Sequence, residues 1–246
     1  MFHSVTREGA SWSVVSDWAA RGILHGFGDA SCNCATDVDA VGVDRLVVPK
    51  QVHGTDVLAV DSDDTIPVAG EFKQREADAV VVAGAGVAGG VLSADCTPVL
   101  ILDTERVAAC HCGWRSAVGG LLPKVLETLP NTNELELAIG PAAGIECYEI
   151  GPEVAVEVER AADIAKKKLP VNDALRQPIV DQRGGRIFCD IKQLLALQAR
   201  AAGVPESGIY IHPSCTIEDL SFFSYRRQNG QAGRQVSFIQ HRGKAQ

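Results

Sequence analysis

The sequence predicts an α/β fold: a single layered domain with a large mixed central sheet and helices packed outside. Three observations lead there. Apolar runs of strand length recur along the chain. Three longer stretches show helical spacing of their apolar residues. The two kinds are interspersed, with several strands in succession, unlike a strict βαβ repeat. The chain has 246 residues, 46% hydrophobic and 22% charged, enough for one domain with a substantial core. We expect that domain to span residues 1–246.

The elements follow in order. Gly26 to Val43 is rich in Gly, Ser, Asp and Ala and reads as a long loop with one helical turn from Asp37. Arg45 to Val48 is a short apolar run ended by Pro49. Thr55 to Val60 alternates as a strand does and runs into an acidic turn at Asp61, Asp63 and Asp64. Ala77 to Ala83 is an Ala/Val run, as expected of a strand buried on both faces. Val87 to Ser93, Val99 to Leu102 and Val107 to His111 are further strands. Gly84-Ala-Gly86-Val-Ala-Gly89 fits G-x-G-x-x-G, but an apolar run follows it where a dinucleotide site needs a helix, so it reads as a strand-to-strand turn.

Ser116 to Leu129 has helical spacing, with Val118, Leu121, Leu122, Val125, Leu126 and Leu129 on one face and Pro130 and Asn131 as the stop. Leu135 to Ile139 is a strand leading to Gly140-Pro141. Pro152 to Leu169 reads as a helix, with Lys166, Lys167 and Lys168 at the negative end of its dipole. Phe188 to Ala202 is another, with Asp190 as a candidate N-cap and Gly203 as its stop. Ile209 to His212 and Val236 to Ile239 are closing strands.

Composition narrows the function. The net charge is −8, without the basic footprint of a nucleic-acid binder. No run approaches the ~18 apolar residues of a membrane span. The N-terminus has no basic run followed by an apolar core, so we expect a cytoplasmic protein. Eight cysteines in a chain of this size, without an export signal, read as reduced thiols. Cys147, Cys189 and Cys215 read as small buried hydrophobes. The pairs Cys32/Cys34 and Cys110/Cys112 are C-x-C, with no second half of a zinc ribbon.

Three segments place chemistry at strand ends: Gln51-Val52-His53-Gly54, Ala94-Asp95-Cys96-Thr97-Pro98 and Cys110-His111-Cys112-Gly113-Trp114-Arg115. His53, Cys96 and His111 suit a zinc ion with an open fourth position, although their spacing matches no short zinc-finger pattern. The same residues allow a Cys96 thiolate nucleophile with His111 or His53 as base and Asp95 orienting it. Asp95 also reads as a plain turn residue before Pro98. Near the C-terminus, Ser224-Tyr225-Arg226-Arg227 with Gly230, Gly233 and Arg234 offers guanidinium groups to an anion, or simply arginines flanking a hairpin.

Together these segments, with Gly140-Pro141, Cys147-Tyr148-Glu149, Thr216 and Phe222-Phe223-Ser224-Tyr225-Arg226-Arg227, resemble the YfiH-like family, also called the laccase-domain or polyphenol oxidase family. The resemblance runs from about Val48 to Ile239. It implies a single α/β domain of layered sheets and helices, with metal ligands at His53, Cys96 and His111. It implies zinc-dependent purine nucleoside phosphorolysis, a transferase activity that extends to methylthioadenosine, together with hydrolytic adenosine deamination. An older description of the family is copper-dependent oxidation of phenols, which makes copper the alternative metal. The implied partners are a small-molecule nucleoside and phosphate. We expect no nucleic acid or membrane partner, and a monomer or small homo-oligomer.

On this reading His53, Cys96, His111 and Asp95 are the catalytic candidates. Arg115, Tyr225, Arg226 and Arg227 are the substrate-binding ones, with Arg234 a further anion ligand and Glu149 the alternative to Asp95 as proton carrier. Zinc hydroxide attacking C6 of adenine follows the logic of known deaminases. A multinuclear copper centre needs many histidines, and the chain has six, His3 and His241 among them. Two features depart from the family pattern. The segment Gly28 to Cys34 lacks the usual arginine and S-L-N-L motif, and offers Asn33 instead. Cys112 stands where alanine is usual; strand alternation turns Cys110 and Cys112 away from His111.

Overall fold

The computed structural model describes residues 1–32, 42–43, 45–61, 75–129, 134–170 and 178–240. The readings at Asn33, Cys34, Asp37, Asp63, Asp64, Pro130, Asn131 and His241 lie outside these residues. A hairpin the sequence reading did not include opens the chain: β1 (Phe2–Arg7) and β2 (Ala10–Val15), joined at Glu8-Gly9. Both turn residues have positive φ, as a two-residue hairpin turn of the right twist requires. The short helix α1 (Ser16–Ala20) follows, then β3 (His25–Gly28). The start of the expected loop from Gly26 is therefore strand.

The next strands match their apolar runs closely: β4 (Arg45–Val47), β5 (Val57–Val60), β6 (Ala79–Val82), β7 (Val87–Ser93), β8 (Thr97–Leu102) and β9 (Val107–Cys112). The glycine-rich segment between β6 and β7 is the strand-to-strand turn expected. The helix expected over 116–129 is two helices, α2 (Trp114–Val118) and α3 (Leu121–Glu127). The pair Gly119-Gly120 breaks it, and Gly120 takes φ +83°.

Then come β10 (Glu136–Ile139), β11 (Glu149–Ile150), α4 (Pro152–Lys166), β12 (Val180–Arg183), β13 (Arg186–Cys189), α5 (Ile191–Ala201), β14 (Ile209–Ile211) and β15 (Gln235–Gln240). Phe188, expected at the start of a helix, lies on β13; α5 begins at Ile191. Asp190 caps it as expected, its carboxylate accepting the Gln193 N–H at 3.1 Å.

Two six-stranded mixed sheets form the body, ordered β1-β2-β3-β15-β7-β4 and β14-β10-β8-β9-β6-β5; a small sheet runs β11-β13-β12. Three pairs are parallel, β4–β7, β5–β6 and β10–β14. Strand alternation sorts the core into layers. On β6 and β9, Val80, Val82, Val107 and Ala109 join Val15, Phe27 and Val91 in an apolar layer between the two large sheets. Ala79, Val81, Ala108, Cys110 and Cys112 face the other way, against Leu121, Leu122, Val158 and Leu194 of the helices. Helices α2 to α5 thus cover one face of the second sheet. Among the described residues, no helix is long and apolar enough to cross a membrane.

Candidate metal centre

The register of β6 against β9 builds the centre. Ala79 pairs with Cys110, so Asp78, one residue before β6, neighbours His111. Both belong to the same side as Val80 and Ala109, away from the helices. Pro98 pairs with His111 on the opposite flank, which brings the turn before β8 to the same end. Three donors meet there: a nitrogen of His53, the Cys96 sulfur and a nitrogen of His111, all within 4.8 Å of one another. Cys96 Sγ lies 3.8 Å from His53 Nε2. His111 is buried, Cys96 half-buried and His53 exposed.

Asp78 organises the donors. Its carboxylate accepts N–H bonds from Val52 (3.1 Å), His53 (2.9 Å) and Gly54 (2.6 Å). His111 Nδ1 lies 2.9 Å from the same group. With Nδ1 committed, His111 presents Nε2 to the cluster. The His53 loop needs this anchor, because His53 sits at φ +60°, a region costly for a residue with a Cβ. Gln51 secures the other side of the loop: its side-chain amide donates to the Leu92 carbonyl and accepts the Leu92 N–H, both at 2.7 Å. Gly113 leaves room for the donors; a Cβ there would come within 2.9 Å of the His53 ring and 3.2 Å of Cys96 Sγ.

Without a metal the electrostatics favour a Cys96 thiolate beside a charged His111, and a cation bound here would take the place of the His111 proton. Burial pushes the Cys96 thiol up, but hydrogen bonds with His111 and His53 outweigh it and bring the thiol down to about 6. Burial pulls His111 down, while Asp78 and Cys96 raise it to about 9. Burial raises Asp78, and its bonds with His111, Gly54 and Val52 carry it below the usual carboxylate range. Two nitrogens and a thiolate are a borderline-soft donor set, suited to zinc. Cys110 and Cys112 take no part. Their side chains lie in the apolar layer under the helices, as alternation requires, and burial pushes the Cys110 thiol up to about 12.

The donors open onto a cleft of about 790 Å³. Trp114, Tyr148 and Tyr225 give it aromatic surface, while Lys50, Arg115, Arg226 and Arg234 give it positive charge. Arg115 lies over the Trp114 ring at 4.3 Å. Arg226 donates to the Glu149 carbonyl at 3.1 Å and faces the Tyr148 ring at 5.5 Å.

Asp95 lines the cleft at φ +85° and acts as an anchor. Its carboxylate accepts the hydroxyls of Thr216 (2.7 Å) and Ser224 (3.0 Å) and the Arg226 main-chain N–H (2.7 Å). Two candidates point elsewhere. The Arg227 guanidinium donates to the carbonyls of Thr216, Ile217, Asp219 and Phe222, which ties its own loop together and leaves it off the cleft wall. The Glu149 carboxylate pairs with Arg186 at 3.3 Å, outside the cleft lining.

Asp78 is the residue sequence reasoning missed, while Gln51 was part of the Gln51–Gly54 motif without an assigned role. Asp78 was hidden inside an apolar run; a lone acidic residue in a doubly buried strand is itself the signal that could have exposed it. Of the other described histidines, His25 accepts the Val15 N–H and meets Trp18 edge to face, and His212 meets Phe2 edge to face. Among the described residues, only His53 and His111 share one donor cluster.

Comparison with known proteins agrees with this architecture. A family profile described as multi-copper polyphenol oxidoreductase laccase matches residues 29–242. A purine nucleoside phosphorylase, YlmD of Geobacillus stearothermophilus, is 32% identical over 213 residues, covering 82% of this chain and 74% of that protein. An adenosine deaminase, RL5, from an unknown prokaryotic organism, is 31% identical over 212 residues, covering 81% and 76%. The crystal structure of YlmD superposes with a TM-score of 0.81 at 26% identity over 98% of both chains. With a family match across most of its length and relatives above 30% identity, this chain belongs to the multi-copper polyphenol oxidoreductase laccase family, the YfiH-like proteins.

Proposed function

We propose that this chain is a zinc-dependent purine nucleoside enzyme. It would catalyse phosphorolysis of adenosine, inosine, guanosine and methylthioadenosine, and deamination of adenosine. The observation that carries the reading is the convergence of His53, Cys96 and His111 at a cleft walled by aromatic rings and arginines. The names of the relatives supply the substrate class. His53, Cys96 and His111 would hold the zinc, which would supply Lewis-acid chemistry and activate water at neutral pH.

The chain's own residues account for the rest. Asp78 orients both histidines through the contacts described above. Trp114, Tyr148 and Tyr225 offer faces on which a purine can stack. Arg115, Arg226 and Arg234, with Lys50, give phosphate a cationic wall. In phosphorolysis a phosphate oxygen bonds to ribose C1′ as the C1′–N9 bond breaks, and the purine leaves with the proton that hydrogen phosphate gives up; the arginines hold the phosphate in line. In deamination, water adds at C6 and ammonia departs. Asp95 serves as a positioning residue that holds Arg226 and the Ser224 loop. We take residues 1–246 as one domain acting in the cytoplasm, where its thiols stay reduced.

Substituting Cys96→Ala is the direct test. Zinc content and nucleoside turnover should fall together; a variant that still turns over adenosine or inosine would sink the proposal. A second reading, a metal-free cysteine hydrolase, rests on Cys96 Sγ lying 3.8 Å from His53 Nε2 with His111 in the same cluster, contacts that lower the thiol and raise His111. That reading predicts iodoacetamide labelling of Cys96 that ignores chelators, and protection of the thiol by zinc counts against it. Elemental analysis decides between zinc and copper.

A further inference from the structure

Outside the cleft, a second set of soft donors converges. We infer that Cys147, Cys215 and Glu218 form a separate metal site for a soft or borderline cation, zinc or cuprous ion. This inference does not depend on the nucleoside reading. One donor atom from each residue lies within 4.8 Å of the other two. Two sulfurs and one carboxylate oxygen make three ligands, and thiolates select soft metals over calcium or magnesium. Glu218 is exposed and both cysteines are partly exposed, so a cation can enter from solvent and water can fill the fourth position. The cysteines buried in apolar clusters, Cys32, Cys110, Cys112 and Cys189, have no such access.

The backbone is arranged around these donors. A β-bridge pairs Ala142 with Cys215, and the Thr216 N–H donates to the Ala142 carbonyl at 3.0 Å. The chain turns tightly after Gly144, whose carbonyl accepts the N–H groups of Cys147 (3.0 Å) and Tyr148 (2.8 Å). That turn brings Cys147 back over Cys215. A second turn, closed by Asp219 N–H to the Cys215 carbonyl at 2.9 Å, returns Glu218 to the same place. The Gly144 N–H donates to Cys215 Sγ at 3.2 Å, an interaction that stabilises a thiolate ligand. Glycine is suited there, since a Cβ would lie 3.2 Å from Cys215 Cβ and 3.4 Å from its sulfur. Behind the site, the Lys192 ammonium donates to the carbonyls of His212 (3.1 Å) and Ser214 (3.3 Å) and so fixes the strand end that presents Cys215.

Metal uptake here exchanges thiol protons for the cation and releases those protons to solvent. It also joins two loops that serve the cleft. Cys147 precedes Tyr148, a cleft wall, and Cys215 precedes Thr216, which holds Asp95. A bound cation would therefore staple the cleft wall from behind.

Cobalt(II) titration of the reduced, metal-free full chain tests the site, because tetrahedral thiolate–cobalt absorbs by charge transfer. The wild type should take up one equivalent more than C215S or C147S, with loss of part of the charge-transfer band. C96S should keep that equivalent, which separates it from the triad. E218Q should weaken it by more than the ~10–100-fold typical of an outer-shell change. Equal cobalt uptake by wild type and C215S overturns the site. If the serine variants do not fold, iodoacetamide decides on the wild type: protection of Cys147 and Cys215 by zinc supports the site, and labelling indifferent to zinc overturns it.

Discussion

Asp78 receives four hydrogen bonds on its carboxylate, three from the main chain of residues 52–54 and one from His111. Replacing it by asparagine turns one acceptor oxygen into a donor and leaves amides of the His53 loop unpaired. Asp78→Asn should weaken zinc ~10–100-fold, measured by competition with a chromophoric chelator; unchanged affinity would contradict the anchoring role. Two buried histidines away from the donor cluster contribute to the acid sensitivity of the fold. Burial lowers both His25 and His212 to about 4. His25 is held neutral, its Nδ1 against the Ile23 carbonyl at 2.9 Å and its Nε2 accepting the Val15 N–H at 2.8 Å. The unfolded chain takes up protons near 6.5 that the folded chain refuses until about 4. Their stabilisation is complete above pH 6.5 and lost as pH falls towards 4, on the order of 3 kcal/mol per histidine. Urea unfolding from pH 7 to pH 4.5 should show this loss, reduced in H25Q; equal pH slopes in the two proteins would contradict it. At this scale the resemblance singled out His53, Cys96 and His111, whose donors the fold brings together; polar residues at the ends of apolar runs, taken alone, left a cysteine nucleophile open as well. Arg227 was misread because sequence cannot say whether a guanidinium meets solvent or four carbonyls.

At the scale of elements, the end of β9 and the loops beside it make the centre. The β6–β9 register sets His111 next to Asp78, while the β8–β9 register brings the Cys96 turn alongside. Gly140 lets β10 turn beneath that junction; a Cβ there would run into the Phe27 ring and lie 2.8 Å from Pro98 Cγ. Gly140→Ala should cost ~2–3 kcal/mol by overpacking, read as a lower melting temperature. A melting temperature equal to wild type would contradict that packing. Neighbouring arginines should separate cleanly. Arg226→Ala should raise the KM for phosphate ~10-fold, by loss of a charge-assisted contact. Arg227→Ala should lower thermal stability by releasing four carbonyl contacts, with a smaller change in KM. A larger KM effect from Arg227 than from Arg226 would reverse the assignment. Strands were legible where Ala/Val runs made them unmistakable. The helix over 116–129 was misjudged because its apolar spacing continues through Gly119-Gly120, where positive φ stops the backbone.

The whole molecule is two mixed sheets face to face with helices on one outer side, and the centre sits at one end of the seam between the sheets. The α/β class and the layered mixed sheets were legible, because strand and helix patterns alternate loosely along the chain. The division into two sheets was not, since strand order rests on contacts distant in sequence, such as β15 between β3 and β7. The N-terminal hairpin escaped notice because β1 is mostly polar and exposed. The cleft draws on residues from Val48 to Arg234, so the fold must be complete before the site exists. A metal bound only by the folded chain stabilises it by mass action, so chelation should lower the melting temperature of wild type more than that of C96A. The most direct measurement is elemental mass spectrometry of wild type and C96A, purified untagged without added metal, beside adenosine and inosine turnover with and without phosphate. Wild type should carry a zinc equivalent that C96A lacks, and turnover should disappear with it. Equal zinc content in the two proteins, or turnover that survives in C96A, would contradict it.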